Sequence, residues 1–196
     1  MYAGSSSREK GKVMVCFLPA SSELLEKSWL NSMAARLAPK NKDGREPMVH
    51  VELFFPMSCS NDSMLGHSCG IHYGGQVFCA PKKFSKNNWL FRTIPISKEQ
   101  YSKLLHFCKA QEKGKFNYAG YYAPCSLMPR KNRIQEPLIS EQSWYCSELV
   151  TSALEYAGLI EQGSDAHSHP DCLYEHIKDL TYVDCARSLS TTVLEL

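Results

Sequence analysis

One stretch constrains this chain more than any other: Trp144-Tyr145-Cys146-Ser147-Glu148-Leu149-Val150. Apolar or small residues follow at helical spacing, namely Leu149, Val150, Ala153, Leu154 and Ala157, which predicts an amphipathic helix. Gly158 closes it, because glycine takes the left-handed cap conformation without steric cost. Cys146 then falls in the first turn. That end of a helix carries partial positive charge and N–H groups without intrahelical partners. Both favour a thiolate, so the position suits a nucleophile. A buried cysteine packing as a small hydrophobe fits the same motif equally well.

A second stretch bears on that choice. Met48-Val49-His50-Val51-Glu52-Leu53-Phe54-Phe55-Pro56 reads as a strand ended by proline. Residues two apart on a strand share a face, so His50 and Glu52 project together. A thiol nucleophile needs an imidazole to take and return its proton, and the imidazole needs a polar group to orient it. One strand could supply both. The plain alternative is a half-exposed strand with two polar residues.

With these residues in place, the chain resembles the circularly permuted papain-like hydrolases. These are relatives of the NlpC-type peptidases and include the YiiX-like proteins and the lecithin:retinol acyltransferase group. The histidine precedes the cysteine, which is the order of the permuted group. The resemblance runs from about Val13 to Leu180. It takes in Ser68-Cys69-Gly70-Ile71, Trp89-Leu90-Phe91-Arg92, Phe116-Asn117-Tyr118-Ala119-Gly120-Tyr121 and His169-Pro170-Asp171-Cys172-Leu173-Tyr174. It implies a cysteine helix packed against a small curved sheet whose strand carries the histidine. It also implies Cys146 as nucleophile and His50 as base, with Glu52 orienting the imidazole and Gln76 the alternative third residue. The activity implied is that of a thiol peptidase or amidase acting on a peptide, amide or acyl ester, without a cofactor. A lipid-directed acyltransferase or phospholipase is the alternative within the same group. A non-catalytic interaction module is the third class.

Composition narrows the rest. Of the residues, 43% are hydrophobic and 21% charged, the balance of an ordinary globular chain. A net charge of +2 gives no case for nucleic-acid binding. No apolar run reaches the roughly 18 residues of a membrane span. Met1 to Lys12 lacks the apolar core of a signal peptide. Nine scattered cysteines without such a leader predict free thiols in a reducing, cytoplasmic compartment. Neither the His67, Cys69 and His72 group nor the Asp165, His167, His169 and Cys172 group has paired zinc-ligand spacing, so no metal is expected. Lys82, Lys83 and Lys86 read as a solvated basic loop that could touch a charged lipid surface. Tyr118, Tyr121 and Trp144 are the candidate substrate contacts, although aromatic clusters also build cores.

The expected class is α+β, an antiparallel sheet packed by helices, in one domain from residue 13 to 196 after a flexible tail at 1–12. Strands are expected at Val13–Leu18, at the His50 stretch and at Asn88–Ile96. A hairpin is expected over Cys69–Cys79, turning at Gly74-Gly75. Pro56 to Gly66 and Pro124 to Glu141 read as loops. Helices are expected after Ser21 or Ser22, after Ser97 in a capping box with Gln100, at Cys146, and over Asp171–Leu180.

Overall fold

The computed structural model describes residues 11–24, 44–122, 142–180 and 182–183. The expected helix after Ser22 and the loop from Pro124 to Glu141 lie outside the described residues, as does all but the end of the expected tail. Strand β1 (Gly11–Pro19) begins two residues before the expected start, at Gly11. β2 (Met48–Cys59), β3 (Ser63–Gly70), β4 (Phe78–Ser85) and β5 (Leu90–Ile96) follow. They form an antiparallel sheet in the order β4-β3-β2-β1-β5, extended at the β5 edge by β8 (Tyr182–Val183). Helices α1 (Lys98–Gln111), α2 (Tyr118–Tyr122), α3 (Cys146–Tyr156) and α4 (Pro170–His176) complete a mixed α+β arrangement. β6 (Lys115–Phe116) and β7 (Ser143–Trp144) pair in parallel, delivering the chain to the start of α3.

β1 is a near-continuous apolar run because both of its faces are covered. Val13, Val15 and Phe17 meet the helices, together with Val51, Leu53 and Phe55 of β2. Met14, Cys16 and Leu18 point the other way, into a second core with Phe54, Met64, Phe84, Trp89 and Phe91. In this second core Phe84 meets Phe54 at 4.9 Å and Trp89 at 4.7 Å, both edge to face. A helix packed on one side and an aromatic cluster on the other leave β2 buried at its centre.

Local signals were accurate where they were self-contained. The capping box forms: Gln100 N donates to Ser97 Oγ, and Ser97 N donates to Gln100 Oε1. Gly158 sits at φ +68°, the left-handed conformation a helix end needs. Three expected boundaries are corrected. Pro56 does not end its strand, because a register irregularity between Pro56 and Ser58 absorbs its missing N–H, and Ser60–Asp62 alone turn the chain. The Gly74-Gly75 turn is present, but β3 stops at Gly70 and β4 starts at Phe78, so residues 71–77 form a longer connection. The last helix ends at His176 and continues as a 3₁₀ turn over Lys178–Leu180.

Helix α3 is more enclosed than an amphipathic helix. Every residue from Cys146 to Glu155 is buried, polar ones included. Leu149, Val150, Ala153 and Leu154 pack into the main core. Three of the polar positions find partners within the protein, whereas the buried Thr151 hydroxyl has none among the described residues. Ser147 Oγ donates to the His167 carbonyl, Glu148 accepts from Asn117, and Glu155 accepts from Gly163 N and His167. Polar groups buried this way avoid a desolvation cost of about 1–3 kcal/mol each.

Candidate active site

The start of α3 and the first half of β2 converge. α3 packs on β2, and Cys146 lies within hydrogen-bond reach of the His50 imidazole. His50 Nε2 is 3.1 Å from Glu52 Oε1. With Nε2 turned to the carboxylate, Nδ1 is the ring nitrogen left for the thiol. The expected approach of two residues on one strand face is thus made by Glu52 folding back along β2. Gly70, facing Glu52 from β3, makes room for it: a Cβ there would sit 2.9 Å from Glu52 Cγ.

Glu52 is fully buried, yet its carboxylate is well provided for. Lys82 Nζ is 2.6 Å from Oε1, and Ser68 Oγ donates to Oε2 at 2.6 Å. Burial alone would raise the carboxyl pKa, but the His50 hydrogen bond and the His50 and Lys82 charges hold it at about 2. His50 moves the opposite way. Burial would lower its pKa, but hydrogen bonds to Cys146 and Glu52 outweigh that and raise it to about 9. The imidazolium form is therefore favoured in the site.

A cleft of about 510 Å³ opens onto Cys146 and His50. Its walls include Leu18, Val49, Ile71, Trp89, Phe116 and Tyr121. His50 is held between two rings, stacked on His72 at 5.3 Å and edge-on to Trp89 at 6.0 Å. His72 stacks in turn on Phe78 at 5.0 Å. At the mouth of α3, Tyr145 is the N-cap and makes no side-chain cap hydrogen bond, so the first-turn N–H groups are not closed off by it. The loop beside this turn is fixed by Asn117. Its Nδ2 donates to Glu148 Oε2 at 3.2 Å, and its Oδ1 accepts from Gly120 N at 2.9 Å.

The other candidate residues separate. Gln76 is exposed, its backbone bridges Lys115, and it does not line the cleft. Tyr121 lines the cleft, whereas Tyr118 is half exposed and packs on Tyr73 and Phe116 beside it. Trp144, expected at the substrate, is corrected to a core residue: it is fully enclosed and its indole N–H donates to Gln111 Oε1. Lys82 and Lys83 do not belong to a solvated loop but to β4. The signal for Lys82 was available in its spacing. It lies two residues before Phe84 on a strand, hence on an apolar face, where a cation implies a buried acid. Nothing local identified Ser68 or Asn117 as partners of the two glutamates. His50, Glu52 and His72 present ligand atoms within 4.8 Å of one another, a set capable of holding a metal ion. Lys82 already supplies the positive charge that such a carboxylate seeks.

Among the described residues no helix is long and apolar enough to cross a membrane. No protein-family model, no curated protein and no solved structure matches this chain.

Proposed function

We propose that this chain is a cysteine-dependent acyl hydrolase of the permuted papain-like type, acting first of all on peptide or other amide bonds. The observation that carries the reading is the His50 imidazole bridging Cys146 and the buried Glu52 at the floor of a cleft. In this reading His50 takes the Cys146 proton, and the sulfur attacks the substrate carbonyl carbon. The carbonyl oxygen gains negative charge and is stabilised by N–H groups of the first turn of α3. As the C–N bond breaks, the His50 imidazolium gives its proton to the leaving amine. A thioester on Cys146 remains, and water activated by His50 hydrolyses it. Glu52 is a positioning residue. It holds the tautomer and stabilises the imidazolium, with Lys82 and Ser68 fixing the carboxylate.

A second reading, a lipid-directed acyltransferase or phospholipase, draws on the aliphatic and aromatic cleft walls. Intact mass spectrometry separates the two. The protein is incubated with libraries of peptides, amides, acyl esters and phospholipids, and adducts are mapped. An acyl adduct on Cys146 from a peptide or amide, absent in Cys146→Ala, supports the first reading. A fatty-acyl adduct on Cys146 from the lipid arm alone supports the second. Adducts on other residues only would overturn both.

A further inference from the structure

Three thiols that this mechanism does not use meet at one place. Cys69 on β3 and Cys79 on β4 are directly opposed in the strand register. Directly opposed residues on antiparallel strands share a face, with Cα atoms about 4.5 or 5.5 Å apart. Both distances fall within the roughly 4.4–6.8 Å span of a disulfide. Cys108 of α1 closes over the pair, with Cys79 Sγ 3.5 Å from the Cys108 carbonyl oxygen. Cys69 and Cys108 are buried, whereas Cys79 is only partly so and can be reached from solvent. All three are free thiols. Thiol hydrogen bonds from Cys108 and then Cys69 push the Cys79 pKa down against the opposing effect of burial, with the neighbouring His67 and Lys109 adding to the lowering. Cys79 therefore has the thiolate character that oxidants select.

We propose that Cys69 and Cys79 are a modification site, a thiol pair that a hydroperoxide converts to a disulfide. Cys79 sulfur attacks one peroxide oxygen and the O–O bond breaks. Cys79 becomes a sulfenic acid, and the other oxygen leaves as water or an alcohol after taking a proton. Cys69 sulfur then attacks Cys79 sulfur. The S–O bond breaks, the S–S bond forms, and hydroxide leaves as water with the Cys69 proton. The two thiols lose two electrons in all, and the peroxide accepts them. The bond closes a loop over the connection between β3 and β4. That connection carries Ile71, His72 and Tyr73 into the cleft wall, so oxidation staples one side of the cleft.

The test uses the full chain as Cys146→Ala, which removes the competing nucleophile and makes the result independent of the hydrolase reading. Reduced protein is treated with a small excess of hydrogen peroxide, blocked with N-ethylmaleimide and digested without reductant by chymotrypsin, which cuts after Tyr73 between the two cysteines. The expected product has lost two hydrogens and yields a Cys69–Cys79 cross-linked peptide pair that reductant separates. Adding Cys108→Ser keeps that pair, and adding Cys79→Ser removes it. The proposal is overturned if Cys79 gathers two or three oxygens without a cross-link, if it pairs with Cys108 instead, or if all thiols remain open to alkylation. The peptide map of the parent protein decides the matter even if a serine variant fails to fold.

Discussion

A histidine–glutamate pair lies near each end of helix α3, and the two ends behave as different chemistry. Near its N-terminus His50 meets Glu52 at 3.1 Å; near its C-terminus His167 meets Glu155 at 2.9 Å. Both carboxylates are buried, and both imidazoles are mostly enclosed. Of the two histidines, only His50 lines the cleft and has a thiol within reach. Around the second, the Glu155 carboxylate also accepts from Gly163 N, and the His167 carbonyl accepts from Ser147 Oγ. That pair ties the 3₁₀ turn over Asp165–His167 to α3. A histidine beside a glutamate is therefore a structural clasp by default. It becomes a candidate catalytic pair when a cysteine at a helix start and an open cleft are added.

The largest expected difference between the two ends is in turnover. Cys146→Ala removes the proposed nucleophile and is expected to abolish the proposed activity, with circular dichroism and thermal melting showing the fold retained. His50→Ala lowers kcat/KM by about 100- to 10,000-fold, the usual scale of general acid–base catalysis. His167→Ala leaves kcat/KM close to the parent value. If His167→Ala costs as much activity as His50→Ala, the contrast collapses.

Next in size is Glu52→Gln. The amide keeps the shape but no longer favours the imidazolium, and a misplaced ring costs about 100-fold in kcat. Its distinguishing readout is the pH profile: the His50 limb moves to lower pH, because part of what raises that pKa is gone. Gln76→Ala, at an exposed position, leaves kcat unchanged. A larger loss from Gln76→Ala than from Glu52→Gln would reassign the positioning role.

Stability reverses the order. Glu155→Ala leaves the mostly enclosed His167 ring without its carboxylate partner and lowers unfolding free energy by about 1–3 kcal/mol, measured in urea, with kcat unchanged. A neutral effect would mean that this pair is not a clasp.

A separate expectation concerns the pH dependence of the parent protein. The His50 pKa rises from 6.5 to about 9 on folding. Its contribution to stability is therefore complete below pH 6.5 and lost as pH climbs through about 9. Glu52 falls from 4.5 to about 2, so its contribution is complete above pH 4.5 and lost as pH drops through about 2. The activity that depends on the imidazolium follows the alkaline limb. Loss of activity centred near pH 6.5 instead would show that Cys146 and Glu52 do not hold the proton on His50.

Much of this contrast was legible in the residues and some was not. Cys146 at a helix start, the Gly158 cap and the Ser97 box depend on a few neighbouring positions, and the chain spells them out. The shared face of His50 and Glu52 follows from strand alternation alone. Lys82, Ser68 and Gly70 complete the Glu52 pocket from β3 and β4, so their roles exist only after the strands pair. Trp144 misled for a related reason. An aromatic beside the cysteine motif looks like a substrate contact, but the β6–β7 pairing turns it into the core, where Gln111 takes its N–H. The enclosure of α3 on its polar side was equally hidden. It depends on Asn117 arriving from a distant segment and on Gly163 and His167 folding back from the connection after the helix.

The central claim is that His50 makes Cys146 reactive despite its burial. The most direct measurement is the rate of alkylation by limiting iodoacetamide at neutral pH, followed by peptide mapping. Cys146 is 7% exposed, whereas Cys59 is exposed on the surface and serves as the internal reference. The account predicts that Cys146 is labelled faster than Cys59 in the parent protein, and that His50→Ala reverses the order while leaving Cys59 unchanged. A Cys146 labelled more slowly than Cys59 in the parent, or at the same rate with and without His50, would contradict it.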